Sequence, residues 1–300
     1  MTQEVEMKRC AHCGQWVPAE AQMCAACGTS DVDGERARAA VGPRRPAAPA
    51  LRPSSWNATT ALLVANVLYL LWSVRVQFSF QPAVGVFETL IRMDGLSDAL
   101  PRAGWYSHAR VAEQGEWWRL VTATFLHAGI FHIGMNMYVL TQVGRVLEHL
   151  LGTARFLTIY LVSGIGSTAA ISLWYVHILG ADRVPPMVGA SGAVFGALGC
   201  LAAFALRMPQ ARGLGMRLVR DIVLMLLIGL IVPMVSNVGH VGGLLPGLVF
   251  GALVGERFSD RLRPGGGALW IVAALIVTTV TLFALACGVE FSLEHLGDHR

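Results

Sequence analysis

Charged residues are scarce in this 300-residue sequence, at 14% of the chain against 54% hydrophobic residues. A soluble globular domain carries about 25% charged residues, so the composition argues against a soluble protein. The mean hydropathy is +0.55, and the charges crowd into the first 55 residues and into short breaks between apolar runs. These runs of roughly 18 or more residues could each span a hydrocarbon core of about 30 Å. The sequence therefore predicts a membrane protein.

Other features are also missing from the sequence, and each absence argues against one class of protein, partner or fold. The first 50 residues lack the early apolar core of a secretory signal, so we expect the first apolar run, about 56–74, to be retained as a helix. The arginines flank apolar runs instead of lining one soluble face, so we expect no nucleic-acid partner. No internal repeat is found, which weighs against a transporter built from duplicated halves. The alternating pattern of a membrane barrel is absent, so the apolar runs predict helices.

The runs predict an all-α polytopic membrane protein with a small N-terminal module. Its seven spans are 57–75, 125–147, 156–176, 187–206, 218–236, 239–256 and 268–288. We divide the chain into a cysteine-containing module, a Pro- and Arg-rich disordered linker, a core of six spans, and a seventh span with a short acidic tail. Their respective ranges are 1–34, 35–55, 56–256 and 257–300. The long insert 76–124 mixes aromatic and charged residues, which predicts an interfacial or partly embedded loop.

The placement of arginine predicts the orientation. Beyond residue 35, a cytoplasmic N-terminus puts fourteen arginines in cytoplasmic segments and seven outside; the seven are Arg75, Arg92, Arg102, Arg110, Arg119, Arg183 and Arg300. Positive charge in short loops favours the cytoplasmic side. We therefore expect the N-terminus inside and the C-terminus outside, in a bacterial plasma membrane with lipid as the surrounding partner.

Few polar side chains occur inside the predicted spans, and they cluster at one depth. The second span carries His127, His132 and Asn136, Ser191 opens the fourth, and Asn237 and His240 open the sixth. With alternating topology these three spans all begin at the outer face. Ionisable groups at membrane depth are costly and are functional candidates. Their convergence predicts one site near the outer face.

Glycine spacing predicts that the fourth and sixth spans pack closely. Ser191 follows Gly189, and Gly192 and Gly196 continue along its helix, while four glycines recur every four residues after His240: Gly243, Gly247, Gly251 and Gly255. Small residues at this spacing let helix backbones approach. Two such faces would bring Ser191 within hydrogen-bond reach of His240, as a nucleophile and its base require. Pro185 and Pro186 suggest a helix start just ahead of the serine.

No carboxylate is available at this depth to complete a triad. Glu148, Asp221 and Glu256 fall at predicted cytoplasmic ends, and Asp182 lies in an outer loop. We therefore expect a Ser–His dyad, with the imidazole oriented by packing or by a neutral partner. His132 and Asn136 are four residues apart and share a helix face. Both can donate hydrogen bonds to an oxyanion.

In combination, His127-x4-His132-x3-Asn136, Gly189-x-Ser191 and His240-x2-Gly243-x3-Gly247 resemble the rhomboid intramembrane serine proteases. Trp118-Arg119, Gly144 and Glu148 also resemble family positions, and the resemblance covers about residues 57–256.

The resemblance implies a six-helix rhomboid-like core in which Ser191 attacks a peptide bond and His240 takes its proton. It implies that His132, Asn136 and the Ser191 backbone N–H stabilise the oxyanion, and that Arg119 is structural, with Gly189 and His127 in supporting positions. It further implies single-span or other transmembrane protein substrates cut near the outer face, with no metal in the chemistry. The seventh span is an addition to this core.

The N-terminal cysteines form two C-x2-C-G knuckles, built from Cys10 and Cys13 and from Cys24 and Cys27. This spacing is typical of a tetrahedral zinc site with four thiolate ligands. Reduced thiols in a cytoplasmic segment favour metal over disulfides, so we expect a zinc-ribbon-like module with structural zinc and a cytoplasmic partner. Redox or disulfide use of the thiols is the alternative, and His12 is the one substitute ligand nearby.

Two other functions compete with a protease. A catalytically inactive relative could bind membrane clients, but it would not need both Ser191 and His240. A transporter or channel would line a path across the membrane with polar residues, whereas here they stop at the outer level. Both readings are disfavoured by the residues present.

Overall fold

The structure, a computed structural model, describes residues 6–30, 57–80, 85–91, 99–180, 184–232, 235–254 and 266–295. The predicted linker 35–55 and the end of the predicted acidic tail lie outside these residues. The chain divides into two units, Met1–Ser55 and Trp56–Arg300.

The first unit contains a two-stranded antiparallel sheet. Strand β1, Met7–Arg9, pairs with strand β2, Trp16–Pro18, with Lys8 opposite Val17. Its buried side chains are Cys10, Val17 and Cys24. So small an apolar cluster buries little surface, which is the situation in which small domains need a metal or disulfides for stability.

The second unit is mostly helical within its described residues. Its α-helices are α1 Ala58–Phe80, α2 Val86–Ile91, α3 Ala99–Ala103, α4 His108–Glu113, α5 Arg119–Thr122, α6 Ile130–Leu151, α7 Thr153–Ser172, α8 Ser191–Arg207, α9 Arg212–Ile231, α10 Asn237–Val254 and α11 Gly266–His295. A π-helical turn, Leu173–Ile178, extends α7, and a 3₁₀ turn, Pro209–Ala211, precedes α9. Each of the seven predicted spans corresponds to one of the long helices.

Several helix boundaries differ from the predicted spans, and two of the differences have clear local reasons. Helix α6 begins at Ile130 and not at 125, because Gly129 has φ +143°, outside the helical region. Helix α9 begins six residues before its predicted span, at Arg212, since its polar first turns continue the helix beyond the apolar run. The predicted spans followed the hydrophobic segments of the sequence, whereas backbone hydrogen bonding determines where a helix begins and ends.

Helix α8 lies at the centre of the second unit. Thirteen of its 17 residues are buried, and it packs against α6, α7, α9 and α10. By contrast, only 17% of the most apolar window of α11 is buried within the protein. Helix α8 is therefore an interior helix, and α11 presents most of its apolar surface outward.

Three described helices are long and apolar enough to cross a membrane: Ala58–Phe80, Thr153–Ile178 and Gly267–His295. Ser191–Arg207 and Asn237–Leu253 are apolar but shorter. Because the packing of α8 and α10 against their neighbours covers their backbones, these helices do not each need the full length of a lipid-exposed span. The apolar helices support an integral membrane protein.

Glu148 joins the first long helix to its neighbours. Its carboxylate accepts hydrogen bonds from the N–H groups of Ala58 and Thr59 at 2.7 and 3.0 Å, and from the hydroxyls of Thr59 and Thr153 at 2.8 and 2.9 Å. The negative charge caps unsatisfied donors at the start of α1, where a helix favours an anion. Gly144, one turn earlier, leaves room for the side chains of Thr59 and Phe156.

The predicted insert between the first two spans contains a folded stretch, residues 99–124, which we call the connecting segment. It includes helices α3, α4 and α5 and buries Tyr106, Trp118 and Arg119. The aromatic residues of the insert were predicted to mark a membrane interface; among them Trp118 is buried in the protein, whereas Trp117 is 43% exposed. The helices of the segment pack against α1, α7 and α11.

Candidate active site

Ser191 is the first residue of α8 and follows Ala190, the N-cap residue. The two prolines do not form the first turn of that helix, as their proximity suggested. They precede Met187, which exchanges two backbone hydrogen bonds with Tyr106 at 3.0 and 3.2 Å. This bridge holds the chain extended there, so the helix starts only at the serine. We call residues 187–191 the serine turn.

His240 lies in the first turn of α10, and its Nε2 is 3.0 Å from the Ser191 Oγ. Both side chains therefore project from helix beginnings that meet at one level. His240 is 9% exposed, so the hydrogen bond is largely withdrawn from solvent. The pair has the separation that proton transfer from a hydroxyl to an imidazole requires.

The close approach of α8 and α10 depends on glycine, as the spacing predicts. A Cβ atom on Gly243 would overlap the backbone of Gly192, and one on Gly247 would overlap the backbone of Gly196. Two successive turns thus pack backbone against backbone. Any larger side chain on this face would push the helices apart and separate Ser191 from His240.

The imidazole of His240 is oriented by an aromatic ring. Phe195 stacks on it with the ring centroids 4.2 Å apart and the planes 10° from parallel. Among the described residues, the buried Nδ1 of His240 has no hydrogen-bond partner. Packing against Phe195 thus holds the ring. Phe195 is not among the site residues predicted from the sequence, although its position four residues after Ser191 places it on the same helix face.

Gly189 brings the serine turn against His132. Its φ of +124° disfavours residues with a side chain, and an added Cβ would lie 2.7 Å from both Cε1 and Nε2 of the His132 ring. The N–H of Ala128 points to the Nδ1 of His132 at 3.4 Å. With Nδ1 as acceptor, the ring proton belongs on Nε2, the nitrogen that faces Gly189.

Asn136 and His127 adjoin His132 on its other sides. The buried Asn136 donates from Nδ2 to the His132 carbonyl at 3.0 Å, one turn back along α6. His127 precedes α6 and is fully buried, with its ring 5.1 Å from that of His132. Its Nδ1 is 3.2 Å from the Phe125 carbonyl, which leaves Nε2 with no hydrogen-bond partner in the described chain.

Arg119 belongs to a separate cluster in the connecting segment. Its Nη1 donates to the carbonyls of Pro101 and Trp105 at 2.8 and 3.3 Å, and its Nε donates to the Glu116 carboxylate. Burial lowers the pKa of this guanidinium, and the hydrogen bond and charge of Glu116 oppose that shift. An arginine so placed stays protonated. Its hydrogen bonds fix the backbone of the segment.

The four N-terminal cysteines come together in the first unit. Their sulfur atoms lie within 4.8 Å of one another, with Cys10 and Cys27 3.9 Å apart and Cys13 and Cys24 3.7 Å apart. Four sulfur ligands on one zinc ion would lie about 3.8 Å apart in a tetrahedron with Zn–S bonds of about 2.3 Å. The donor set and its spacing therefore fit a tetrahedral metal ion.

The two knuckles have the same backbone geometry. In each, the first cysteine accepts a hydrogen bond from the glycine four residues later, at 2.8 Å for both Gly14 and Gly28. Those glycines have φ of +73° and +71°. Backbone N–H groups of Cys27 and Ala26 also lower the pKa of the Cys24 thiol to about 7. The loops thus present their sulfurs in the manner of metal-binding turns.

Comparison with known proteins decides the family. The Rhomboid domain model matches residues 114–257, a range that contains Ser191, His240 and the last part of the connecting segment, residues 114–124. RHOMBOID-like protein 6, mitochondrial, of Arabidopsis thaliana is 31% identical over 237 residues, which cover 71% of this chain and 73% of that protein. The chain belongs to the rhomboid family.

Two bacterial rhomboids are also similar. Rhomboid protease GluP of Bacillus subtilis is 36% identical over 189 residues, covering 62% of this chain and 34% of GluP. Putative rhomboid protease YdcA of the same organism is 44% identical over 89 residues, covering 28% of this chain and 40% of YdcA. The chain thus spans about a third of the length of GluP. Both of these relatives carry the name rhomboid protease.

The structure brings some predicted rhomboid residues together and leaves others apart. Ser191 contacts His240, Gly189 contacts His132, and His127 and Asn136 adjoin that histidine. Arg119 is not in contact with this group, but a backbone hydrogen bond of 2.8 Å from Gly189 to Ala123 links the serine turn to the helix of Arg119. The cysteines belong to the other unit.

Gly243→Ala should destabilise this rhomboid core, because the new methyl group would overlap the Gly192 backbone. Overpacking of this kind costs about 1–3 kcal/mol, and we expect a clear fall in the thermal midpoint in detergent. Gly134→Ala on α6 is the matched control, since nothing lies within 4 Å of its added Cβ. Equal midpoints for the two variants would show that the helices do not need this contact.

Proposed function

We propose that this protein is an intramembrane serine endopeptidase that uses Ser191 as nucleophile and His240 as general base. The observation that carries the proposal is the 3.0 Å separation between Ser191 Oγ and His240 Nε2, at the meeting of two glycine-packed helices. Membership of the rhomboid family supports the same reaction. The roles of the individual side chains follow from their surroundings.

Acyl transfer would proceed in two steps. In the first, Ser191 Oγ attacks the carbonyl carbon of the scissile peptide while His240 Nε2 takes the hydroxyl proton, which then passes to the leaving amine. In the second, a water molecule loses its proton to Nε2 and attacks the acyl-enzyme, and the proton returns to Ser191 Oγ. For Nε2 to accept, the neutral ring must carry its proton on Nδ1. The Phe195 stack would hold the ring in place, the task that a carboxylate performs in a triad.

The oxyanion would form beside the start of α8. The first four N–H groups of a helix lack acceptors within it and carry the positive end of its dipole, and Ser191 is the first residue of this helix. His132 would add a side-chain donor, since its Nε2 faces the adjacent Gly189. Asn136 would support the His132 backbone and is the second candidate donor.

The substrate would be a transmembrane protein segment, cut near the outer membrane face. A peptide bond inside a regular helix is shielded by its neighbours, so the segment must unwind locally before Ser191 can reach it. The proposed chemistry uses protein groups alone. We further propose that the N-terminus lies in the cytoplasm and the C-terminus outside, as the arginine distribution favours.

Zinc is proposed as the structural ion of the first unit, with Cys10, Cys13, Cys24 and Cys27 as its ligands in a zinc-ribbon-like module. Bound there, it would cross-link the two knuckles and contribute folding free energy that the small apolar cluster cannot supply. Four thiolates would leave no position open for a reacting water.

Removal of either member of the dyad should abolish proteolysis. Ser191→Ala and His240→Ala should each reduce cleavage of a reporter transmembrane substrate in liposomes to near background. The double variant should lose little more, because residues that act as a unit have non-additive effects. Cys287→Ala is a control with a similar small change. A Ser191→Ala protein that kept a tenth of the activity would exclude this serine as the nucleophile.

Loss of an oxyanion donor should slow turnover without unfolding the protein. Such a loss typically lowers kcat by about 10²–10³, and we expect this for His132→Ala and for Asn136→Ala. His127→Ala should have a smaller effect on kcat, since its ring contacts His132 and not the serine. A loss for His127→Ala as severe as that for His240→Ala would contradict this ranking.

Zinc binding and catalysis should be separable. Removal of residues 1–50, or Cys10→Ser with Cys27→Ser, should remove about one zinc ion per chain and leave cleavage in vitro intact. The reason is that every group proposed for acyl transfer belongs to the unit Trp56–Arg300. Cys287→Ser should retain the metal. Measuring metal content alongside activity decides the matter: a folded, zinc-free enzyme without activity would make the module part of the catalytic unit.

The orientation can be tested with a fusion. Alkaline phosphatase joined after the last residue should be active in cells, because its disulfides form only outside the cytoplasm. The same enzyme fused to the N-terminus should be inactive. The opposite pattern would reverse the proposed topology.

A further inference from the structure

The C-terminal helix α11 contacts the connecting segment through one face near its end. Gly288, Phe291 and Ser292 form that face, which we call the clamp. Ser292 is 1% exposed and donates its hydroxyl to the Arg102 carbonyl at 2.9 Å. The rest of α11 is largely outward-facing, so this face is its main buried contact with the segment.

Phe291 covers the two residues that anchor the connecting segment. Its ring lies 5.4 Å from that of Trp118, tilted by 47°, and 5.0 Å from the Arg119 guanidinium. Arg119 is fully buried, and its Nη2 has no hydrogen-bond partner among the described residues. A ring facing a buried guanidinium supplies an attraction that an aliphatic side chain cannot. The Phe291 ring therefore helps to stabilise the buried positive charge of Arg119, whose hydrogen bonds do not satisfy every donor.

Gly288 allows this approach. A Cβ atom at this position would lie 2.6 Å from the hydroxyl of Tyr69, 3.0 Å from Thr122 and 3.4 Å from Trp118. Three elements meet there: α11, α1 and α5. The glycine is thus fitted to a contact with the protein and not with lipid.

The connecting segment in turn holds the serine turn by backbone hydrogen bonds. Two join Tyr106 and Met187, and a third of 2.8 Å runs from the Gly189 N–H to the Ala123 carbonyl. Ala123 is held by its own N–H, which donates to the Arg119 carbonyl at 3.3 Å. A continuous set of contacts therefore runs from Phe291 through Arg119 and Ala123 to a residue two positions before Ser191.

We propose that α11 is a positioning element of the active site, and that Phe291 is its positioning residue, acting on Ser191 through Arg119 and the Ala123–Gly189 hydrogen bond. The inference rests on the proposed function, since it concerns the placement of the proposed nucleophile. Phe291 touches no reacting atom.

The test uses the full-length protein and four variants. Phe291→Ala removes the ring, Phe291→Leu keeps an apolar side chain without a ring, and Phe291→Trp restores an aromatic face. Leu282→Ala, on the outward face of α11 with Leu282 63% exposed, is the matched control. Displacing a catalytic group by about 1 Å can cost about 10² in rate, so Phe291→Ala should lower kcat by about 10–100-fold.

The pattern across the series separates positioning from general packing. KM should stay within about twofold, as expected where substrate binding is unaffected. Phe291→Trp should keep most of the wild-type kcat, and Phe291→Leu should not. This comparison can be made even if Phe291→Ala fails to fold. Equal kcat for Phe291→Ala and Leu282→Ala would overturn the proposal, and so would full recovery by leucine.

Amide hydrogen exchange provides a second test of the positioning role that does not depend on proteolysis. Peptides covering 116–124 and 187–191 should exchange faster in Phe291→Leu than in Leu282→Ala, because local opening follows the loss of buried contacts. Unchanged exchange in both peptides would overturn the proposal. If the wild-type protein cleaves no better than Ser191→Ala, the proposed protease function fails, while the exchange result still decides whether α11 holds the serine turn.

Discussion

The backbone contact between α8 and α10 is the constraint on which the rest of the site depends. The two helices pack there without intervening side chains, with Gly192 against Gly243 and Gly196 against Gly247. At the end of that contact Ser191 and His240 lie 3.0 Å apart. The side chains of Ser191 and His240 extend only a fixed distance from their helices. Even a small increase in helix separation would therefore break the hydrogen bond between them. Interior packing here fixes the Ser191–His240 separation as well as contributing to stability.

A second layer fixes where the serine turn lies. Gly189 has a backbone conformation that few other residues adopt, and its N–H is bound to Ala123 in the connecting segment. The segment is itself held by the buried Arg119, whose guanidinium donates to the carbonyls of Pro101 and Trp105 and faces two aromatic rings. The position of Ser191 thus depends on residues outside the group around His240 and His132.

Much of this could be predicted from the sequence, because helices in a membrane leave a strong hydropathy signal and glycine spacing marks close packing. The seven long helices and the contact between the glycine faces follow from those patterns. The roles of the site residues remain predictions. The Tyr106–Met187 bridge and the contact of Phe291 with Arg119 could not be foreseen, since they join residues far apart in sequence through backbone atoms or a single ring. Helix α11 looked like an ordinary span because its contacting face is only a few residues long.

The central claim is that Ser191 is a nucleophile activated by His240, and covalent labelling tests it most directly. A fluorophosphonate reacts with an activated serine and leaves a stable adduct that peptide mass spectrometry can locate. The account predicts one adduct, on Ser191, formed by the wild-type protein in liposomes and strongly reduced in His240→Ala. An adduct on a different serine, or equal labelling of Ser191 without His240, would contradict it.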